Sequence, residues 1–431
     1  MKTIKPGVDV RRGTMAVWAV VLLGSGLVAR GNDHNYQNLL VGDRASGMGG
    51  AAVALANSVD AAYYNPAGLT AVNVGSLSLS ANLYGFQNFR IEDGIAPKED
   101  MESSSFMTIP TTIGAVGRAS TNMAMSVSAF VPDRISLNNI MSHSNGKHLY
   151  QYNLDDQTLW VGPSIGIQVS PEFSLGASVF ALYRSSSFTE NAYWQDWGSS
   201  YAAGRKFDDV GLLGLLGAQY SPDHVWKFGA TLQSPSTHLY SRGKYEASVV
   251  NRLNINSGGE SFYSEEVNTD NHLPSKCSLG VAREVKREYA VGVDVSYNLP
   301  TSTFLQEWKT QKGEDESLHI VREGVMNLNV GGEYYIQKQY PVRAGFFTNF
   351  SSSPGTDPSD PANSLDINLY GLSTSVGKEL EHMSLNMGVL YLFGKGTDLG
   401  WILKSDETMD YVSTDASIKQ IYLMANTSYY F

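Results

Sequence analysis

From Tyr289 to Leu299 the chain takes turns, one residue at a time, between two kinds of side chain. Tyr289, Val291, Val293, Val295, Tyr297 and Leu299 alternate with Ala290, Gly292, Asp294, Ser296 and Asn298. A period of two is that of a β-strand, whose successive side chains point to opposite faces, so one face here suits lipid or core and the other suits water. Met326, Leu328, Val330, Tyr334 and Ile336 alternate in the same way with Asn327, Asn329, Gly331 and Glu333. About fourteen such segments follow one another, beginning near Val74, Ser104, Thr121, His148, Glu172, Arg205, Val225, His272, Arg287, Val325, Gln339, Asn363, Glu381 and Ala416.

Their connections sort into two kinds. Six are tight: around Ser120-Thr121-Asn122, Pro171-Glu172, Pro222-Asp223, Lys286-Arg287-Glu288, Lys338-Gln339 and Glu379 to Glu381. The seven between them are long and polar, such as Tyr240 to Asn271 and Pro300 to Gly324. Strict alternation of short and long connections around an even strand count is the pattern of an outer-membrane barrel, with short turns periplasmic and long loops outside. A β-sandwich has no reason to put all its long loops at one end. The expected fold class is therefore all-β: a transmembrane antiparallel β-barrel of about fourteen strands over residues 74–431. Closure also removes the sheet edge, whose polar groups lipid would leave unsatisfied. The chain stops at Tyr429-Tyr430-Phe431, after Ile421, Leu423 and Ala425 on one face. That ending resembles the terminal signal of bacterial outer-membrane proteins, so outer-membrane lipid and the barrel assembly machinery are expected partners.

The residue mix agrees. With 42 Gly, 24 Tyr, 16 Phe and only 17% charged residues, the chain suits aromatic-rich strands joined by turns. Its mean hydropathy of -0.19 is too polar for a bundle of membrane helices. A barrel escapes that objection, because only every second residue of a strand faces lipid. A net charge of -11 and the lack of a basic cluster argue against nucleic acid as a partner. Cys277 is the single cysteine, so no intrachain disulfide forms, and it reads as a small strand residue. At the start, Lys2, Lys5, Arg11 and Arg12 precede the apolar stretch Met15 to Ala29, with small residues at Ala29 and Gly31. This predicts a signal peptide over residues 1–31, cleaved after Gly31, and hence export.

Between that signal and the first strand, residues 32–73 do not alternate. They read Gly42-Asp43-Arg44-Ala45-Ser46-Gly47-Met48-Gly49-Gly50-Ala51-Ala52-Val53-Ala54 and then Ala61-Ala62-Tyr63-Tyr64-Asn65-Pro66-Ala67-Gly68-Leu69. Small residues permit tight packing in a confined space, and Asn65 before Pro66 is a good cap for a short helical turn that opens with proline. A phosphate-loop reading fails, since both the Lys-Ser/Thr ending and the preceding strand are missing.

These residues resemble the FadL/TodX family of outer-membrane transporters for long-chain fatty acids and other hydrophobic compounds. The family's N-terminal hatch carries a segment like Arg44 to Ala51 followed by an Asn-Pro-Ala motif, here Asn65, Pro66 and Ala67. Weaker echoes are Gly229 to Pro235 and Arg343-Ala344-Gly345-Phe346, the latter leading into Ser353-Pro354. The resemblance implies a hatch over residues 32–73 that plugs the periplasmic end, and a third strand kinked so that an apolar ligand leaves sideways into the membrane. The matching stretch is Ser126 to Leu137, with Phe130, Pro132 and Asp133 at the kink. Pro132 removes a ladder donor, which fits either a kink or the plain end of a strand before a loop.

If Leu175, Ala177, Val179 and Ala181 face lipid, the inward face of that strand carries Ser174, Gly176 and Ser178 and then Phe180 and Leu182; Leu390 and Leu392 are inward likewise. A lumen so lined can hold an apolar ligand. Tyr193, Trp194 and Trp197, in the stretch Asn191 to Tyr201, are either a capture groove on the outer rim or girdle residues at the membrane interface. Arg184 and Arg343 should point inward, where each either pairs with a carboxylate headgroup or neutralises Asp294 or Glu333. No serine lies in a recognisable nucleophile turn, His143 and His148 read as solvated loop residues, and neither catalysis nor a metal or other cofactor is expected. The expected function is passive uptake of a hydrophobic small molecule by loop capture, hatch rearrangement and lateral release, by a monomer in the outer membrane of a Gram-negative bacterium. The alternative is an accessory barrel for protein secretion, like the PorV branch of the same superfamily.

Overall fold

Backbone donors and acceptors exposed to hydrocarbon must be satisfied within the wall, and the chain does so by pairing every strand with its neighbours until the last meets the first. The computed structural model describes residues 34–72, 75–96, 98–143, 148–195, 199–223, 225–251, 260–309, 315–360, 363–403 and 409–431. The predicted signal peptide lies outside the described residues, as do Trp197 and the side chains of Trp194, His143 and His148. Among the described residues no helix is long and apolar enough to cross a membrane, which says nothing about crossing by strands.

Among the described residues eighteen strands form the wall: β1 (Ser76–Ala96), β2 (Glu99–Ser120), β3 (Met123–His143), β4 (His148–Gln168), β5 (Phe173–Trp194), β6 (Ser199–Tyr220), β7 (Trp226–Gln233), β8 (Thr237–Asn251), β9 (Glu260–Asp270), β10 (Lys276–Val285), β11 (Tyr289–Asn298), β12 (Thr301–Lys309), β13 (Asp315–Arg322), β14 (Val325–Ile336), β15 (Tyr340–Asn349), β16 (Asp366–Glu379), β17 (Met383–Leu403) and β18 (Met409–Tyr430). All pairings are antiparallel, and β1 closes on β18 from Ser76↔Tyr430 to Ile91↔Ala416. β7 and β8 both lie against β6 and are two halves of one span. β9 with β10, β11 with β12, and β13 with β14 are halves in the same sense, which leaves fourteen spans.

The tight turns fall where expected. The long polar connections do not: Tyr240 to Asn271 is mostly β8 and β9, and Pro300 to Gly324 is mostly β12 and β13. Above the lipid a wall has no apolar face to maintain, so alternation lapses while the ladder continues. That is also why β6, β13 and β18 start several residues before the positions that alternation marked. Lower down the two faces separate cleanly: Leu175 and Val179 are exposed to the outside, whereas Ser178 and Phe180 are buried inside. Leu390 and Leu392 are fully buried in the lumen, where they join Phe89, Met107, Phe207 and Phe347 in an apolar interior.

Residues 34–72 fill the lumen at the tight-turn end. They comprise helical turns at Arg44–Gly47 and Ala61–Tyr64 and a 3-10 helix at Pro66–Ala71. Their backbone reaches the wall because the wall withdraws its side chains: a Cβ on Gly229 would strike the Val53 carbonyl, one on Gly331 the Met48 carbonyl, and one on Gly176 the Pro66–Ala67 peptide. Wall side chains then satisfy the polar backbone so brought in. Asp294 Oδ2 accepts from the N–H groups of Ala52 (2.6 Å) and Val53 (2.8 Å), and Asn329 Nδ2 donates to the Gly49 carbonyl (2.6 Å).

Candidate functional site

Asn65 is held in an extended conformation (φ -160°, ψ 101°) just ahead of Pro66, which starts the 3-10 helix. Its Oδ1 accepts from Ala67 N at 3.2 Å, the capping bond the sequence predicts. Its Nδ2 donates to the Val53 carbonyl (2.7 Å) and to the Ala218 carbonyl of β6 (2.9 Å). One amide therefore ties the helix start, the Val53 turn and the wall together.

The wall is interrupted beside this segment. The β2–β3 ladder ends at Thr112↔Phe130, and among the described residues no ladder pair joins the remainder of the two strands. On its other side β3 pairs Phe130 with Trp160 and then Asp133 with Thr158, so Val131 and Pro132 together oppose Leu159. Two residues against one is a β-bulge, and proline suits it because it has no N–H to leave unpaired. β3 runs on past Pro132 to His143, so Pro132 lies at a bulge inside a continuing strand rather than at a strand end. The inner segment binds this edge: Leu39 N donates to the Pro132 carbonyl (3.2 Å), Asn38 Nδ2 to Asp133 Oδ1 (2.9 Å) and Gly42 N to Thr112 Oγ1 (3.1 Å).

Aromatic rings gather at the bulge. Tyr63 lies 5.5 Å from Phe130 and 5.2 Å from Trp160, centroid to centroid, and Phe180 lies 5.9 Å and 5.8 Å from the same two. Leu182 joins the group. Next to them is a cavity of about 80 Å³ bordered by Tyr63, Pro132, Trp160, Arg184, Lys276 and Arg322. A second, of about 40 Å³, shares Tyr63 and Lys276 and runs down beside the inner segment.

The two arginines expected to face inward do so, in different places. Arg184 borders the larger cavity and grips Asp156 through Nε (3.0 Å) and NH2 (2.8 Å). Arg343 belongs to an ionic cluster at the tight-turn end, donating to Glu333 Oε2 and to Asn386 Oδ1, both at 2.6 Å. Arg44 of the inner segment completes that cluster by donating to Glu284 and Glu333, both at 2.7 Å, and Lys227 also pairs with Glu284. Of the alternatives for Arg343, neutralising Glu333 is the one its bonds satisfy. Burial opposes the Arg44 charge, but Glu333 and Glu284 more than offset it and hold the guanidinium firmly protonated. Beside it, burial pushes the Asp43 carboxyl up to about 6; Arg343 pulls the other way, and Asp60 and Glu379 add to the rise.

Tyr193 lies not in a free loop but near the upper end of β5, on the outward face. The structure thus brings Phe130, Pro132, Asp133, Phe180, Leu182 and Arg184 into one region and leaves Tyr193 and Arg343 outside it. Sequence reasoning passed over Tyr63, Trp160 and Lys276. Trp160 and Lys276 each share the inward phase of their strands, against outward Val161 and Cys277 respectively. A large ring and a cation on the inner phase were therefore available signals, while Tyr63 gave none beyond its place two residues before Asn65.

A family model described as "Outer membrane protein transport protein (OMPP1/FadL/TodX)" matches residues 32–431. Among curated protein sequences none matches the chain. Solved structures similar to it include a Pseudomonas aeruginosa FadL homologue, 15% identical over 92% of this chain and 100% of that one, with a TM-score of 0.68. The P. putida toluene transporter TodX is 15% identical over 92% of this chain and 99% of its own, with a TM-score of 0.68. The Ralstonia pickettii toluene transporter TbuX is 16% identical over 91% and 99%, with a TM-score of 0.60. At such identities the likeness to each structure is one of fold.

Proposed function

Because the chain belongs to the OMPP1/FadL/TodX family of outer membrane transport proteins, whose members carry hydrophobic compounds and are not enzymes, we propose that it takes up a long-chain fatty acid or a similar amphipathic molecule and releases it sideways into the membrane. In this reading residues 1–31 are removed on export, residues 32–73 act as the hatch and residues 74–431 as the barrel. Aromatics of the stretch 191–201, Tyr193, Trp194 and Trp197 among them, collect the ligand. The hatch then shifts about Asn65, Pro66 and Ala67, and the ligand leaves past Phe130, Pro132 and Asp133.

The observation that carries the reading is that a luminal cavity and the end of a wall ladder coincide at Pro132. The cavity borders match such a ligand: Tyr63 and Trp160 suit an apolar body, and Lys276, Arg184 and Arg322 favour a carboxylate at its end. At about 80 Å³ the cavity is smaller than the roughly 150 Å³ that holds a benzene ring. A ligand therefore has to displace part of the hatch, which already holds the edge of the gap through Leu39 and Asn38.

Equilibrium binding of radiolabelled palmitate to detergent-purified protein tests this. Lys276→Gln is expected to weaken palmitate about tenfold while leaving toluene binding within twofold, since the loss of one desolvated charge contact is worth roughly 1.5 kcal/mol. Trp160→Ala is expected to weaken both. If neither probe binds the wild-type protein, the reading fails.

A further inference from the structure

The break at β2–β3 has a counterpart across the barrel. Gln233, Lys276, Asn298 and Val325 form one continuous register row through β7, β10, β11 and β14. Immediately above that row all four spans are interrupted together, at residues 234–236, 271–275, 299–300 and 323–324. Pro235, Pro274 and Pro300 stand in three of the interruptions and Gly324 in the fourth. Proline cannot donate to a ladder, so the sequence itself forbids continuous pairing along this line.

The line widens between β8 and β9. Their ladder begins only at Gly243↔Val267, and among the described residues no ladder pair joins residues 237–242 to residues 268–270. Below and beside that stretch the wall is stitched by side chains instead. Leu273 N donates to Ser236 Oγ (2.8 Å), Thr269 N to Ser241 Oγ (3.1 Å), and Gln233 Nε2 to the Pro274 carbonyl (3.3 Å), with one backbone bond from Ser236 N to the Leu273 carbonyl (3.0 Å). Such bonds are individually as strong as ladder bonds, but each can be lost without disturbing its neighbours, so the seam lacks the cooperativity of a paired strand. Outside it, Leu239 and Tyr240 are 55% and 57% exposed, with the exposed Arg242 just beyond, the order of side chains expected where hydrocarbon gives way to water. Inside it, Gln233, Leu273 and Pro274 border the same cavity that Pro132 borders from the other side.

We infer that the β8–β9 seam is a second side portal, through which a small apolar molecule dissolved at the outer membrane interface reaches the central cavity. The cavity then lies between two ladder-free stretches of wall, one serving as the way in and the other as the way out. This deepens the transport reading above and rests on it for the direction of flow, but the portal itself is testable without transport.

The test uses the full-length mature protein in liposomes, with Cys277→Ser to remove the native thiol and S236C and L273C to bridge the seam. A membrane-dissolved alkyl diazirine is photolysed, and adducts are mapped by mass spectrometry on Trp160 and Thr158, which border the cavity. With the seam cysteines reduced, adducts on these two residues are expected; with the disulfide formed they are expected to fall at least fivefold and to return on reduction. Equal adducts in both states, or none in the reduced state, overturn the portal. Palmitate and toluene binding measured on the same preparation reports separately on the transport reading, so that either can fail alone.

Discussion

At the scale of single residues, the inner segment is held by a few side chains with several partners each. Asn65 is fully buried and serves a helix cap and two carbonyls from different parts of the chain. Asn65→Ala removes the cap and the Nδ2 bonds to both carbonyls, leaving Val53 O only a longer bond from Gln219 Nε2 (3.4 Å), which costs about 3 kcal/mol of docking. Hydrogen exchange over residues 61–72 is expected to speed up by about two orders of magnitude, with the barrel strands unchanged. Asp43 supplies a pH dependence. Its carboxyl is pushed up to about 6 when docked, from the ordinary 3.8 when released into water. Its contribution to docking is therefore complete below about pH 4 and lost as pH rises through 6, up to about 3 kcal/mol in all. Protection of residues 44–50, corrected for intrinsic exchange, is expected to fall between pH 5 and pH 7, and Asp43→Asn to flatten that fall. An unchanged profile in the variant would mean that Asp43 does not set the pH dependence of docking.

Among elements, what was legible from sequence tracks what is local. Alternation located the lower half of every span, and the inward phase of β5 was read correctly down to Phe180 and Leu182. The upper halves escaped because no lipid imposes a period on them, so β8, β9, β12 and β13 looked like polar loops. The register breaks escaped for a different reason: a bulge is a relation between two strands, and Val131-Pro132 against Leu159 cannot be seen in either alone. The family resemblance, not periodicity, pointed to Pro132. The wall glycines were equally silent, since nothing in a strand's own pattern says that a backbone lies against Gly229. Gly229→Val leaves no room for the Val53 carbonyl and is expected to displace the segment and raise single-channel conductance in planar bilayers at least threefold. Gly117→Val is the control, because a Cβ there meets nothing within 4 Å. Equal conductance in both variants would mean that the segment does not close the pore.

At the scale of the whole molecule, the closed wall and the luminal segment make one device. The wall satisfies its backbone by meeting itself at β1 and β18, and this frees the pairing at β2–β3 to be incomplete without unravelling the sheet. An apolar interior reaches that incomplete place, and the inner segment holds its edge. Molecules are proposed to pass through the wall there. Deleting Val131 and replacing Pro132 with threonine leaves one residue opposite Leu159 and so restores one-to-one register between Phe130↔Trp160 and Asp133↔Thr158 without shifting the rest of β3. Uptake of radiolabelled palmitate and toluene by cells carrying this variant, set against equal amounts of correctly assembled wild-type barrel, is the direct measurement. A fall of at least tenfold for both is the predicted result, and uptake at the wild-type rate through a straightened β3 would contradict the account.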